Sequence, residues 1–214
     1  MKDFEIPATG EFHIHRIVSE GDENVLSDIE KEKCSLFSST STRQTYIKSH
    51  SAARFLTADY TRKNPAQLDF ATLPEGKPYF ECTPNLHFNL SHSGDSVFIA
   101  FASDPVGFDI ENIQRKADFK KLSERYFQSQ EREFLERSDK EKNTTFLEIW
   151  TAKEAILKLL GTGIASGLDK TLVLNEEEGI FNDTKIYLRR YNFGDFIGTL
   201  ASFSRIQTIR EFTY

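Results

Sequence analysis

The sequence predicts an α+β fold, on three observations. Residues 118–160 repeat apolar side chains at helical spacing, Val97-Phe98-Ile99-Ala100-Phe101-Ala102 is a short unbroken apolar run, and residues 171–212 alternate β-like runs with turns. Each half of the chain thus reads as helix followed by strands, with a junction near residues 103–106 that separates an N-terminal half, 1–105, from a C-terminal half, 106–214. No residue-level repeat relates the halves.

Residues 10–35 carry polar, helix-friendly sequence, and Ser27-Asp28-Ile29-Glu30 has the form of a capping box, with Ser27 as N-cap. After the Ser/Thr-rich stretch 38–43 a helix is expected, with Tyr46, Ala53 and Phe55 on its buried side, ending at the Asn64-Pro65 break. Residues 76–80 and 86–90 read as extended segments around a turn at Pro84-Asn85, and Ser93-Gly94-Asp95 as a turn into the strand 97–102. Asp104-Pro105 turns the chain again, into a strand over 106–110. Three helices are then expected. The first carries Phe119, Leu122, Tyr126 and Phe127, the second spans about 129–136, and the third spans about 144–160. Phe146, Leu147, Trp150, Ile156, Leu157 and Leu160 form the apolar stripe of the third, Gly161 is its C-terminal cap, and Gly163 and Gly167 keep the next loop free of helix. Short strands about 185–188 and 196–200 follow.

At 214 residues, with 38% hydrophobic and 28% charged side chains, the chain is long enough to bury a core. Its 19 phenylalanines predict an aromatic one. Cys34 and Cys82 match no metal-ligand spacing and read as small buried residues in a reducing compartment. The first ten residues lack an apolar signal-peptide core, and no stretch approaches the roughly 18 apolar residues of a membrane span, so a cytoplasmic location is expected. A net charge of −6 argues against nucleic acid as partner, and any anionic ligand needs a local basic cluster.

Asp109 and Glu111, two apart at a strand end, share a face and repel each other unless a cation intervenes or one is protonated. An Asp-x-Glu at a strand end is most often merely solvated, but the apolar approach Val106-Gly107-Phe108 speaks for a built pair. Glu154 and Lys158, four apart, form an ordinary surface pair on most helices, whereas here an apolar stripe brackets them. Asp109, Glu111 and Glu154 make an all-oxygen ligand set that suits Mg²⁺. Ser91-His92 lacks the nucleophile-elbow pattern and suits phosphate binding better, the plain alternative for His92 being a hydrogen-bonded turn histidine. Lys31, Lys33, Arg43, Lys48, Arg54 and Lys77 are the available cations, of which Lys77 is set between Gly76 and Pro78.

Four motifs in order, Gly-Lys-Pro-Tyr at 76–79, Phe-Asn-Leu-Ser-His-Ser-Gly-Asp at 88–95, Gly-Phe-Asp-Ile-Glu at 107–111 and Trp-Thr-Ala-Lys-Glu-Ala at 150–155 with Lys158 and Gly161, resemble the 4′-phosphopantetheinyl transferases of the long, single-chain, surfactin-synthetase-activating type. The resemblance covers about residues 30–168 at motif level. It implies two similar α+β halves in pseudo-two-fold arrangement, with the active site in the cleft between them. It also implies transfer of the phosphopantetheine arm from coenzyme A to a serine of an acyl or peptidyl carrier protein, releasing adenosine 3′,5′-bisphosphate, by a monomer. In that reading Asp109, Glu111 and Glu154 bind Mg²⁺ (Mn²⁺ being the alternative), and Glu154 is also the general base. Lys158 stabilises the departing phosphate, assisted by Lys153. Ser91 and His92 hold the phosphates, with His92 nearest the 3′-phosphate, Lys77 and Arg43 meet the adenosine 3′-phosphate end, and Lys31 and Lys33 fit the family's lysine cluster as further coenzyme A contacts. Glu30 stands where the family's lysine cluster has a lysine. A coenzyme A- or carrier-binding protein without turnover, and a metal-dependent phosphohydrolase on the same carboxylates, are the competing readings.

Overall fold

The computed structural model describes residues 4–68, 70–74, 76–81, 83, 85–163 and 167–214. Cys82, Pro84 of the expected Pro84-Asn85 turn, and residues 164–166 of the expected loop lie outside them. The described residues group into two compact units. The first takes the chain up to Leu73, then Pro78–Asp104 and Gln207–Tyr214; the second takes Pro74–Lys77 and Pro105–Ile206.

In the first unit, β1 (Glu11–Ile17) precedes α1 (Asp28–Ser35) and the long α2 (Thr40–Thr61). A short ladder of β2 (Phe70–Thr72) and β3 (Pro78–Phe80) follows, then the hairpin β4 (His87–Ser93) and β5 (Ser96–Ala102). The hairpin turns at Gly94, whose φ of +59° suits the tight two-residue connection. Ser27 caps α1, with Glu30 closing the box, as its sequence predicts. Residues 11–17 are a strand, which corrects the helix-friendly reading of 10–35. Their partners are β5, antiparallel, and the last strand of the chain, parallel, so only distant segments decide their state. Helix α2 starts inside the Ser/Thr stretch, capped by Ser39, because a serine that interrupts a helix interior satisfies a free N–H at its start. Its buried side is Ala53, Leu56 and Tyr60, while Tyr46 and Phe55 are only half-buried. The core is aromatic, with Phe70, Phe80 and Phe88 in successive ring contacts at 4.3 and 5.0 Å and Phe101 beyond. Cys34 is buried and free.

The second unit begins its sheet with β6 (Val106–Asn112) and continues through α3 (Phe119–Tyr126), α4 (Ser129–Arg137) and α5 (Lys142–Leu160). Four strands then complete it: β7 (Thr171–Val173), β8 (Glu178–Phe181), β9 (Thr184–Phe193) and β10 (Phe196–Ser202). The sheet order is β6-β10-β9-β8-β7, antiparallel throughout. The final strand, β11 (Thr208–Thr213), pairs with β1 in the first unit, so the chain's last residues belong with its first half.

Helix α5 lies directly on β6 and β10. The contact is closest at Gly107, where an added Cβ would stand 2.0 Å from the Ala155 carbonyl oxygen and 2.5 Å from the Leu159 nitrogen. Only glycine admits a helix backbone so near a strand. The stripe Phe146, Leu147, Trp150, Ile156 and Leu157 is buried, Leu160 is half-buried, and Gly161 ends the helix at φ +69°.

Candidate active site

A strand's two-residue period puts the side chains of Asp109 and Glu111 on the side of β6 to which Gly107 admits α5. A helix's 3.6-residue period puts Thr151, Ala155 and Leu159 against the sheet and brings Glu154 and Lys158 to the edge of that contact. The side-chain hydroxyls of Thr151 and Thr199, the latter opposite Asp109 on β10, meet at 2.9 Å and fix the helix on the sheet.

Lys158 Nζ donates to Asp109 Oδ1 at 2.6 Å, an ion pair in which Asp109 is 4% exposed. Arg115, one turn beyond β6, pairs with Glu111 and sets its guanidinium 5.7 Å over the Trp150 ring. Burial, then the Asp109 carboxylate, pushes the Glu154 carboxyl up to about 8; Glu111 adds to this and Lys158 and Arg115 oppose it. Asp109 and Glu111 are therefore close enough to Glu154 to disfavour its ionisation, a conflict that a hard divalent cation relieves. Among the described residues no group of three or more His, Cys, Asp or Glu side chains stands gathered as a metal centre, and Lys158 and Arg115 occupy two of the carboxylates instead. The oxygen-only donor set of Asp109, Glu111 and Glu154 is of the kind that fits Mg²⁺.

Lys153 lies elsewhere. It is fully buried, its ammonium bonded to both oxygens of Glu131 at 3.0 and 2.7 Å and to the Thr171 carbonyl. Residues 153 and 154 are 100° apart on the helix, so when Glu154 faces the site its neighbour faces the core. An ammonium so committed has no donor left over for a phosphate, which corrects the assisting role expected of it. Glu131, which the sequence reading missed, also accepts from the Gln128 and Val173 backbone N–H groups. The acid three residues into α4 was the available signal, because a carboxylate that caps there has its second oxygen to spare.

Lys77 Nζ donates to the carbonyls of Val106, at 2.9 Å, and Leu159, at 3.2 Å. In the first unit, Lys31 is half-buried on α1, exposed Lys33 sits 5.1 Å over the Tyr46 ring, and Arg43 pairs with Glu23 at 2.7 Å. Ser91 is buried and His92 exposed, so the two side chains leave β4 on opposite faces. Glu30, the departure from the lysine cluster, is an interior anchor. It accepts from Ser27, His50 and Arg54, and although burial opposes it, these bonds hold its pKa down at about 2.

Comparison with known proteins bears on both units. The family model described as the 4′-phosphopantetheinyl transferase superfamily matches residues 105–201, and that of the 4′-phosphopantetheinyl transferase N-terminal region matches 21–104. Together these extend beyond the motif-level span on both sides. The chain is 33% identical to 4′-phosphopantetheinyl transferase ffp of Bacillus subtilis over 70% of its own length and 66% of that protein's. It is 40% identical to psf-1 of Bacillus pumilus, over 53% and 48% respectively. With 4′-phosphopantetheinyl transferase Sfp of Bacillus subtilis strain 168 it shares 30% identity over 72% and 68%. The alignments thus span about two thirds and one half of the lengths of the first two relatives.

Proposed function

Because the chain belongs to the 4′-phosphopantetheinyl transferase superfamily, we propose that it moves the 4′-phosphopantetheine arm from coenzyme A to a serine hydroxyl of an apo acyl or peptidyl carrier protein, releasing adenosine 3′,5′-bisphosphate, in the cytoplasm and as a monomer. The observation that carries this is the meeting of Asp109, Glu154 and Lys158 where α5 crosses β6, with the Glu154 carboxyl raised to about 8.

In the reaction the serine oxygen forms a bond to the phosphorus that carries the pantetheine arm, and the bond from that phosphorus to the bridging oxygen of the adenosine bisphosphate breaks. Glu154 takes the serine proton as general base. Lys158 stabilises charge on the departing phosphate, and Asp109 holds Lys158 at the required place before the substrate arrives. Mg²⁺ held by Asp109, Glu111 and Glu154 would supply neutralising charge to the pyrophosphate. Lys31, Lys33, Arg43, Ser91 and His92 are proposed as coenzyme A contacts. Arg43 would exchange Glu23 for the ligand, an inexpensive step for a surface pair.

The test is incubation of the full chain with coenzyme A, Mg²⁺ and an apo carrier protein, followed by mass spectrometry of the carrier. A gain equal to one phosphopantetheine arm is expected, with roughly a 10²–10⁴-fold slower gain for Glu154→Ala. No gain on any of several acyl and peptidyl carriers would overturn the reading. Adenosine bisphosphate released without a carrier would mark a hydrolase.

A further inference from the structure

The ammonium of Lys77 reaches the place where helix and strand of the site are closest. It bonds the carbonyl of Val106, the first residue of β6, and the carbonyl of Leu159, in the last turn of α5. The last four carbonyls of a helix lack intrahelical donors, and the helix dipole makes that end negative. At the end of α5 the Gly161 and Thr162 N–H groups serve Leu157, and Lys77 serves Leu159 with a full positive charge. Burial pushes Lys77 down to about 8. Among the described residues, its bonds are to the two backbone carbonyls of Val106 and Leu159.

We propose that Lys77 is a positioning residue, a cationic clasp that joins the C-terminal turn of α5 to the start of β6 and so sets the register of Glu154 and Lys158 against Asp109. Leu159 follows Lys158 directly, and Val106 lies three residues before Asp109 on the strand. Gly107, beside the clasp, leaves the helix no side chain to rest on at its point of closest approach, so the bonds of Lys77 supply the restraint that a packed side chain would. Two of the three ammonium donors are spent on this, which replaces the adenosine 3′-phosphate contact expected from the sequence. The local sequence agrees, because Gly76, at φ +95°, and Pro78 set the backbone on either side of Lys77.

The inference rests on the proposed transferase reading for its kinetic arm alone. Native-state hydrogen exchange on full-length Lys77→Met and Lys77→Arg compares amide protection with the parent. Protection at Leu159, Leu160 and Gly161 is expected to fall about ten-fold in Lys77→Met, the effect of losing a hydrogen bond to a charged group, and to recover largely in Lys77→Arg. Unchanged protection there overturns the proposal whatever the kinetics. In the transfer assay, Lys77→Met is expected to lower kcat by the same factor with coenzyme A and with 3′-dephospho-coenzyme A, leaving KM for each near the parent value. A rise in KM confined to coenzyme A would instead make Lys77 a 3′-phosphate contact. Should the parent transfer nothing, the exchange arm still decides the clasp, and the failure belongs to the transferase reading.

Discussion

Glu154 carries opposing demands. It is half-buried on a helix that carries a long apolar stripe, beside two other carboxylates, and its raised pKa is the mark of that conflict. A residue kept in such a position costs stability that a neutral side chain of the same shape does not. Glu154→Gln is therefore expected to slow transfer as Glu154→Ala does while leaving the metal-free protein at least as stable as the parent. Urea denaturation in the presence of chelator measures this. A clear loss of stability would show that Glu154 is held for structure.

At the scale of elements, the buried pair Lys153–Glu131 joins α5 to α4, and through Thr171 and Val173 to β7. Both charges are out of water, at 0% and 1% side-chain exposure, so removing one partner strands the other. Lys153→Met alone should cost about 3–5 kcal/mol of unfolding free energy, and adding Glu131→Gln, which removes the stranded charge and keeps an acceptor for the Gln128 and Val173 N–H groups, should recover part of it. If Lys153 met phosphate instead, the double variant would regain stability no better than the single one. Transfer should follow stability, because this pair acts on the site by keeping α5, and Glu154 with it, in place.

Over the whole molecule, acid is expected to act first on two imidazoles of the first unit, buried His13 and half-buried His50. His13 bonds Glu11 and Tyr60, and His50 bonds Glu30 while stacking on Tyr46 at 3.9 Å. Burial pushes both below their usual 6.5. Their folded pKa values lie below the unfolded ones, so the stability they contribute is complete above pH 6.5 and declines as pH falls. Glu30 acts in the same sense lower down, complete above about 4.5 and lost toward its folded value of about 2. His50→Gln keeps a donor for Glu30 and removes the titration. Between pH 6.5 and 5 the parent should lose stability relative to this variant by up to about 1.4 kcal/mol per pH unit. Parallel curves would contradict the assignment.

Neighbours along the chain settle the local features, and these are legible in the sequence. Ser27 with Glu30 starts α1, Gly161 ends α5, Ser93-Gly94-Asp95 closes a hairpin, and strand parity puts Asp109 and Glu111 on one face. Each follows from a backbone need met within a few residues. Other features are settled by partners from distant parts of the chain, which folding alone brings together. Residues 11–17 became a strand because residues 97–102 and 208–213 flank them. Lys153 and Lys77 looked like cations available to an anion, since a lysine reads the same whether its ammonium meets water, Glu131 or the end of a helix. Desolvating a charge is permitted only where a partner waits, and for these two lysines the partners lie far along the chain.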